Sequence, residues 1–253
     1  MAKKRKLKKI EKERFQAAIL AGAPGAVAQS LALPIYLSQA AKTEIPAKEA
    51  LKYYEKATGE KLWEAPMFLL GRDRTKAKQP KGTTKLITHH EPIPNYGVGL
   101  IGKKKVLVVP AQKKLSPYTL LHEAGHAKGR GIKELKRLEK LMLPARLAPF
   151  AVLGVLPFTE SEKAEKAGYI AGGVGGLASL PMLGEEARAS WRAIKWAPKM
   201  GLSKGKAIKV LLPAFGTYLG SAALAVTPPI ALGRYFAAKA RAKKLKKKRK
   251  VRS

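Results

Sequence analysis

Cysteine is absent from the 253 residues, which excludes disulfides and every thiolate metal or redox site. A metal ion held by this chain would need histidine, aspartate or glutamate ligands. Acidic residues are scarce, 17 against 51 Lys and Arg, so the formal net charge is +34. Aromatic residues are few, 7 % of the chain, and are not interleaved with the basic runs. That argues against stacking on single-stranded bases and leaves plain electrostatics toward a polyanion. No internal repeat and no phosphate-binding loop is present: the glycine-rich stretch "AGGVGGLAS" has neither a partner lysine nor a preceding strand.

The charge is concentrated at the ends, in "MAKKRKLKKIEKER" and "KARAKKLKKKRKVRS". Such runs cannot bury themselves, so residues 1–14 and 237–253 read as solvated basic tails. They would attract phospholipid headgroups, nucleic acid or an acidic protein, and charge alone does not choose among these. The apolar stretch after the N-terminal tail is longer than a signal-peptide core and has no small-residue cleavage site. It reads as retained, either as an anchor or as a buried helix.

Four apolar segments stand between the charged ones, at 15–41, 141–158, 167–183 and 210–233. Each is near or above the roughly 17–25 residues that cross a bilayer. The first and last contain no Asp, Glu, Lys or Arg, although a soluble amphipathic helix needs a polar face. These two are expected to insert into a membrane, which makes the chain an integral membrane protein. The middle pair, 141–183, reads as an apolar helical hairpin whose tip is the polar "TESEKAEK". Because the tails and the basic stretches around residue 122 prefer the same membrane side, the end segments are expected to dip and return at "GAPG" and "TPP" or the central loop to escape the charge rule.

From 42 to 115 the chain is polar and mixed. "PAKEALKYYEKATGEKL" has the pattern of a solvent-facing amphipathic helix, with Pro46 near its start and Gly59 near its end. "YGVGLIG" and "KVLVVP" predict a short β-hairpin. A helix follows, with Ser116 as N-cap, Pro117 at the first position and Gly129 toward its C-terminus.

That helix carries "LLHEAGHA". His122 and His126, four apart, lie on one helical face and can aim both imidazoles at one ion, while Glu123 can take a proton from a water held there. The alternative is a surface helix with two partly exposed histidines. Against it, the small residues Ala124, Gly125 and Ala127 let the helix pack closely. A catalytic zinc takes three protein ligands, and the candidates for the third are His89 and His90 in "ITHHEP" or the downstream carboxylates Glu185 and Glu186. His89 and His90 read first as loop histidines. Glu185 and Glu186, at the expected start of an amphipathic helix, have the alternative of interacting with its N-terminal dipole.

"LLHEAGHA", a pair of apolar helices and then "EEARAS" together resemble the membrane-embedded gluzincin peptidases, whose second motif reads Glu, two residues, Ala, then Asp or Ser. The resemblance covers roughly residues 106–194. It implies a mainly α fold, with a zincin-like helical core over 42–206, a small β-hairpin edge and apolar helices including the segment 207–236. It further implies a zinc metalloendopeptidase acting on a peptide or protein substrate. On that pattern His122, His126 and Glu186 bind Zn²⁺, Glu123 is the general base, and Ser190 and Glu185 support the site, with Glu185 lying toward the helix start and solvent. Tyr118, Tyr169, Arg192 or His89 would contact the transition state. The competing expectation is a non-catalytic basic membrane or virion-type structural protein that binds anionic lipid or nucleic acid.

Overall fold

The computed structural model describes residues 30–64, 80–89, 97–101, 104–128 and 163–250, with isolated helical positions at 9, 12, 16, 28, 134, 137 and 140. The chain divides into two units. One comprises Met1–Leu31, Leu141–Leu183 and Gly216–Ser253, the other Ala32–Lys140 and Gly184–Phe215. The fold is mainly helical with small sheets.

In the second unit, helix α1 (30–41) leads into strand β1 (Ile45–Pro46) and helix α2 (Ala47–Thr58). Pro46 precedes α2, and Gly59, at φ 76°, ends it in the left-handed region that glycine adopts without strain. Ala50, Tyr54 and Ala57 form its buried face, so the helix is amphipathic as its periodicity predicts. Strands β2 (Lys61–Glu64), β3 (Thr83–His89), β4 (Gly97–Ile101) and β5 (Lys104–Pro110) make one sheet in the order β2-β3-β5-β4. β4 and β5 are antiparallel with Val98 opposite Leu107, which is the expected hairpin. β2 and β3 are additions to it, parallel to each other and to β5. The small hairpin edge is therefore part of a four-stranded mixed sheet. The signal lay in "TTKLITH", where buried Thr84 and Leu86 alternate with less buried neighbours in a β-branched run.

Strand β6 (Lys114–Leu115) pairs with β1, Ile45 opposite Leu115. This brings Thr43 Oγ1 to 3.0 Å from Ser116 Oγ at the entry of helix α3 (Pro117–Ala127). Leu107, Leu115, Leu120, Leu121, Val210 and Leu211 are fully buried in the core that joins the sheet, α2, α3 and the ends of the two long helices.

Those long helices are α4 (Ala164–Lys199) and α5 (Lys204–Lys250). Gly201, at φ 77°, turns the chain between them, and the Leu202 amide donates to the Ala197 carbonyl at 2.9 Å. Three expectations change here. The arm expected to stop at 183 continues without a break through Pro181 and Gly184, so Glu185 and Glu186 lie mid-helix. "TPP" does not turn the chain either: α5 runs through Thr227, Pro228 and Pro229 as helix, with Thr227 Oγ1 donating to the Ala223 carbonyl at 3.0 Å. The C-terminal basic stretch, expected as a solvated tail from 237, is helical to Lys250, with Ala237 and Ala238 buried and Arg241 paired with Glu165 at 3.2 Å, while Lys243, Lys244, Lys246 and Lys247 are exposed.

Among the described residues one helix, Lys204–Lys247, is long and apolar enough to cross a membrane. Most of the tail 1–14, residues 15–29 apart from 16 and 28, "GAPG" and the segment 141–158 lie outside the described residues.

Candidate metal centre

Helix α3 opens as its sequence predicts, with Ser116 before it and Pro117 in its first turn. The Ser116 hydroxyl bonds Thr43 and does not cap the helix. The helix ends at Ala127 with Lys128 as its C-cap; Gly129 is outside the described residues. Every side chain from Pro117 to Gly125 is buried. This disposes of the surface-helix alternative for the two histidines. Two ionisable imidazoles and a carboxyl group on a buried helix require polar partners, and α4 supplies them.

His122 Nε2 lies 3.0 Å from Glu186 Oε2 and 3.1 Å from His126 Nε2. His126 Nε2 is 3.4 Å from the same Glu186 oxygen. The ligand atoms of His122, His126 and Glu186 all fall within 4.8 Å of one another, a buried group that could hold a metal ion. The outward nitrogens are also engaged. Ser190 Oγ is 3.1 Å from His122 Nδ1, and Glu185 Oε1 is 3.1 Å from His126 Nδ1. An imidazole whose Nδ1–H donates to a carboxylate leaves its Nε2 lone pair free for a cation. The arrangement therefore presents Nε2 of both rings and one carboxylate to a common point.

The position of Glu185 corrects the sequence reading, which put it toward solvent at a helix start. Glu185 is 5 % exposed, lies well inside α4, and joins His126 to the guanidinium of Arg188 at 2.5 Å. Adjacent helical residues project about 100° apart, but an imidazole offers nitrogens on two edges of its ring. Glu186 reaches Nε2 of His126 while Glu185 reaches Nδ1 of the same ring. The dipole explanation for this pair lapses, because the helix begins at Ala164.

Gly125, between the histidines, is where α3 meets α4. A Cβ there would lie 2.6 Å from the carbonyl oxygen of Ala189 and 2.9 Å from its Cα. The small residue of "HEAGH" thus faces the small residue of "EEARAS", and the contact holds the three ligand side chains in register. Arg192 Nη1 donates to the Gly125 carbonyl at 2.8 Å, tying α4 to the end of α3. Gly125→Ala is expected to force the helices apart and lower stability by about 1–3 kcal/mol, the usual range for overpacking, with metal affinity falling alongside. An unchanged thermal midpoint and unchanged metal binding would contradict this.

Glu123 is 7 % exposed. Burial pushes its carboxyl pKa up, while both imidazoles and a hydrogen bond from the Val98 backbone N–H act in the opposite direction. It therefore stands beside the triad and against β4, an approach that leaves no signal in residue spacing. Burial opposes a charge on His126, but the Glu185 and Glu186 carboxylates outweigh it and raise the ring's proton affinity. Burial likewise opposes a charge on Glu186, and the two imidazoles outweigh it and lower that pKa. Arg188 pairs with Glu185, which leaves Glu186 as the carboxylate of the triad to face a cation. Two imidazole nitrogens and one carboxylate oxygen, with thiolates absent, form a donor set suited to zinc.

Of the residues expected at the transition state, Tyr118 and Arg192 have other partners. The Tyr118 phenol is next to the Ser203 backbone and Tyr53, and burial pushes its pKa up. Arg192 is engaged at the end of α3. Tyr169 belongs to the other unit and is half exposed. His89 closes β3 opposite Pro110; its side chain and His90 lie outside the described residues. Compared with protein-family models, curated proteins and solved structures, the chain matches none, and the geometry of α3 against α4 carries the functional argument.

Proposed function

We propose that the chain is a membrane-associated zinc metallopeptidase of gluzincin type, with His122, His126 and Glu186 as ligands and Glu123 as general base. The observation that carries this reading is the convergence of the three ligand atoms within 4.8 Å beside a buried glutamate. Zinc bound in such a set supplies a Lewis acid that polarises a carbonyl and makes water acidic near neutral pH. Glu123 takes the proton of the attacking water and returns it to the leaving amine. Ser190 and Glu185 hold the two rings in orientation. Among the described residues β4 is at the end of the sheet order, an edge to which an extended peptide can add, and its Val98 backbone N–H bonds Glu123. Helix α5 attaches the chain to the membrane through the uncharged run 210–233.

Dialysis of the detergent-solubilised protein against a zinc chelator is expected to abolish cleavage of a mixed fluorogenic peptide library, and added zinc to restore it. Cleavage that survives chelation would contradict the reading. A metal-loaded protein that cleaves nothing yet binds anionic vesicles would favour the non-catalytic basic protein.

A further inference from the structure

Helix α4 carries an uncharged run, residues 167–184, which at 1.5 Å per residue extends about 27 Å, close to the roughly 30 Å of a bilayer's hydrocarbon core. Averaged around its circumference this run falls short of the apolarity of a membrane span, whereas α5 does not. The shortfall comes from glycine, and glycine is distributed unevenly around the helix. A Cβ on Gly168 would meet Pro229 and Gly233 of α5, one on Gly172 would meet Val226 and Ile230, and one on Gly175 would meet Ala225. Gly168, Gly172 and Gly175 thus occupy the side pressed on α5, where they add nothing to the outer surface, while Gly173 and Gly184 face open space. That outer surface is Ile170, Val174, Leu177 and Leu180, which are 58, 52, 69 and 58 % exposed.

Two further observations bear on what covers this face. Ser179, Ser221 and Thr227 each donate to the carbonyl four residues earlier in their own helix, at 2.8, 3.0 and 3.0 Å, so these hydroxyls need no water. Charge is confined to the ends of the pair. Glu165 and Arg241 pair at one end, beside Lys163, Lys166 and the exposed Lys243, Lys244, Lys246 and Lys247. The uncharged runs 167–184 and 210–233 follow from that end.

We infer that α4 is a second membrane-embedded helix, paired with α5 through its glycine side, with Ile170, Val174, Leu177 and Leu180 facing lipid acyl chains and the basic end of the pair meeting anionic headgroups. Close glycine packing is how helices associate where water supplies no hydrophobic drive, and a basic cluster directly after an apolar helix is drawn to an anionic leaflet. The inference rests on the membrane reading of α5 and is independent of the peptidase reading.

Because the chain has no cysteine, single Val174→Cys, Leu177→Cys and Leu219→Cys variants can each carry one nitroxide in the full chain, reconstituted in phosphatidylcholine–phosphatidylglycerol vesicles. Lys243→Cys serves as the water-exposed reference. The expected result is frequent collision with oxygen and loss of collision with a water-soluble nickel chelate at 174 and 177, matching 219 and opposite to 243. Nickel collisions at 174 and 177 equal to those at 243, with 219 protected, would overturn the inference while leaving the membrane reading of α5 intact. Nickel collisions at 219 as well would overturn both. Protection from both reagents at 174 and 177 would show that protein, such as a second copy, covers the face, and would also overturn it.

Discussion

Glu123→Gln is expected to keep its metal and lose peptide hydrolysis by about 10²- to 10⁴-fold, the range for removing a general acid–base. Glu123 is buried next to both histidines, and its carboxyl accepts a hydrogen bond from the Val98 amide. Glutamine has the same shape and can still accept that bond, so the fold and the ligand set should persist. Its amide can hold a water but cannot take its proton. Metal content and kcat/KM measured on one preparation separate the two roles. Wild-type activity in this variant would place the chemistry elsewhere, and lost metal would make Glu123 a structural member of the cluster.

Glu186→Ala is expected to lower zinc affinity by more than about 100-fold, and Glu185→Ala by about 10- to 100-fold, the usual effect of losing a partner that orients a ligating histidine. Glu186 Oε2 is the oxygen that approaches both Nε2 atoms, at 3.0 and 3.4 Å. Removing it takes away a ligand. Removing Glu185 frees Nδ1 of His126 and leaves Arg188 without its 2.5 Å partner. From sequence alone Glu185 would contribute only the roughly 0.3–1 kcal/mol of a charge at a helix start, so its variant distinguishes the buried position from the expected one. Competitive zinc titration measures both. The reverse order of affinities would make Glu185 the ligand and Glu186 the support.

Much of the site was legible in "LLHEAGHA", because the four-residue spacing of two histidines is a statement about one helical face. The same holds for Glu186 and Ser190, four apart on α4: one meets His122 at Nε2 and the other at Nδ1. Glu185 was misplaced because its environment depends on where α4 begins. A helix start was expected at Glu185 and Glu186, after the apolar arm ending at 183, yet the helix runs from Ala164 to Lys199 through Pro181 and Gly184. Packing on both sides outweighed the local preference against those residues. Similarly, β2 and β3 are short and their pairing is parallel and non-local, so no turn signal announced them, whereas β4 and β5 were joined by one. Val98's contact with Glu123 is tertiary and leaves no trace in spacing. The same holds for Tyr118 and Arg192: both have the chemistry to polarise a carbonyl, but their partners are Ser203 and Gly125.

The most direct measurement is metal content by elemental analysis after mild purification, on the wild-type chain and on the His122→Ala, His126→Ala double variant. About one zinc per chain is expected in the wild type, the stoichiometry of a single three-ligand site, with none in the double variant. A wild-type chain that carries no metal and takes up none from added zinc, or a double variant that carries as much as the wild type, would contradict a metal centre formed by His122, His126 and Glu186.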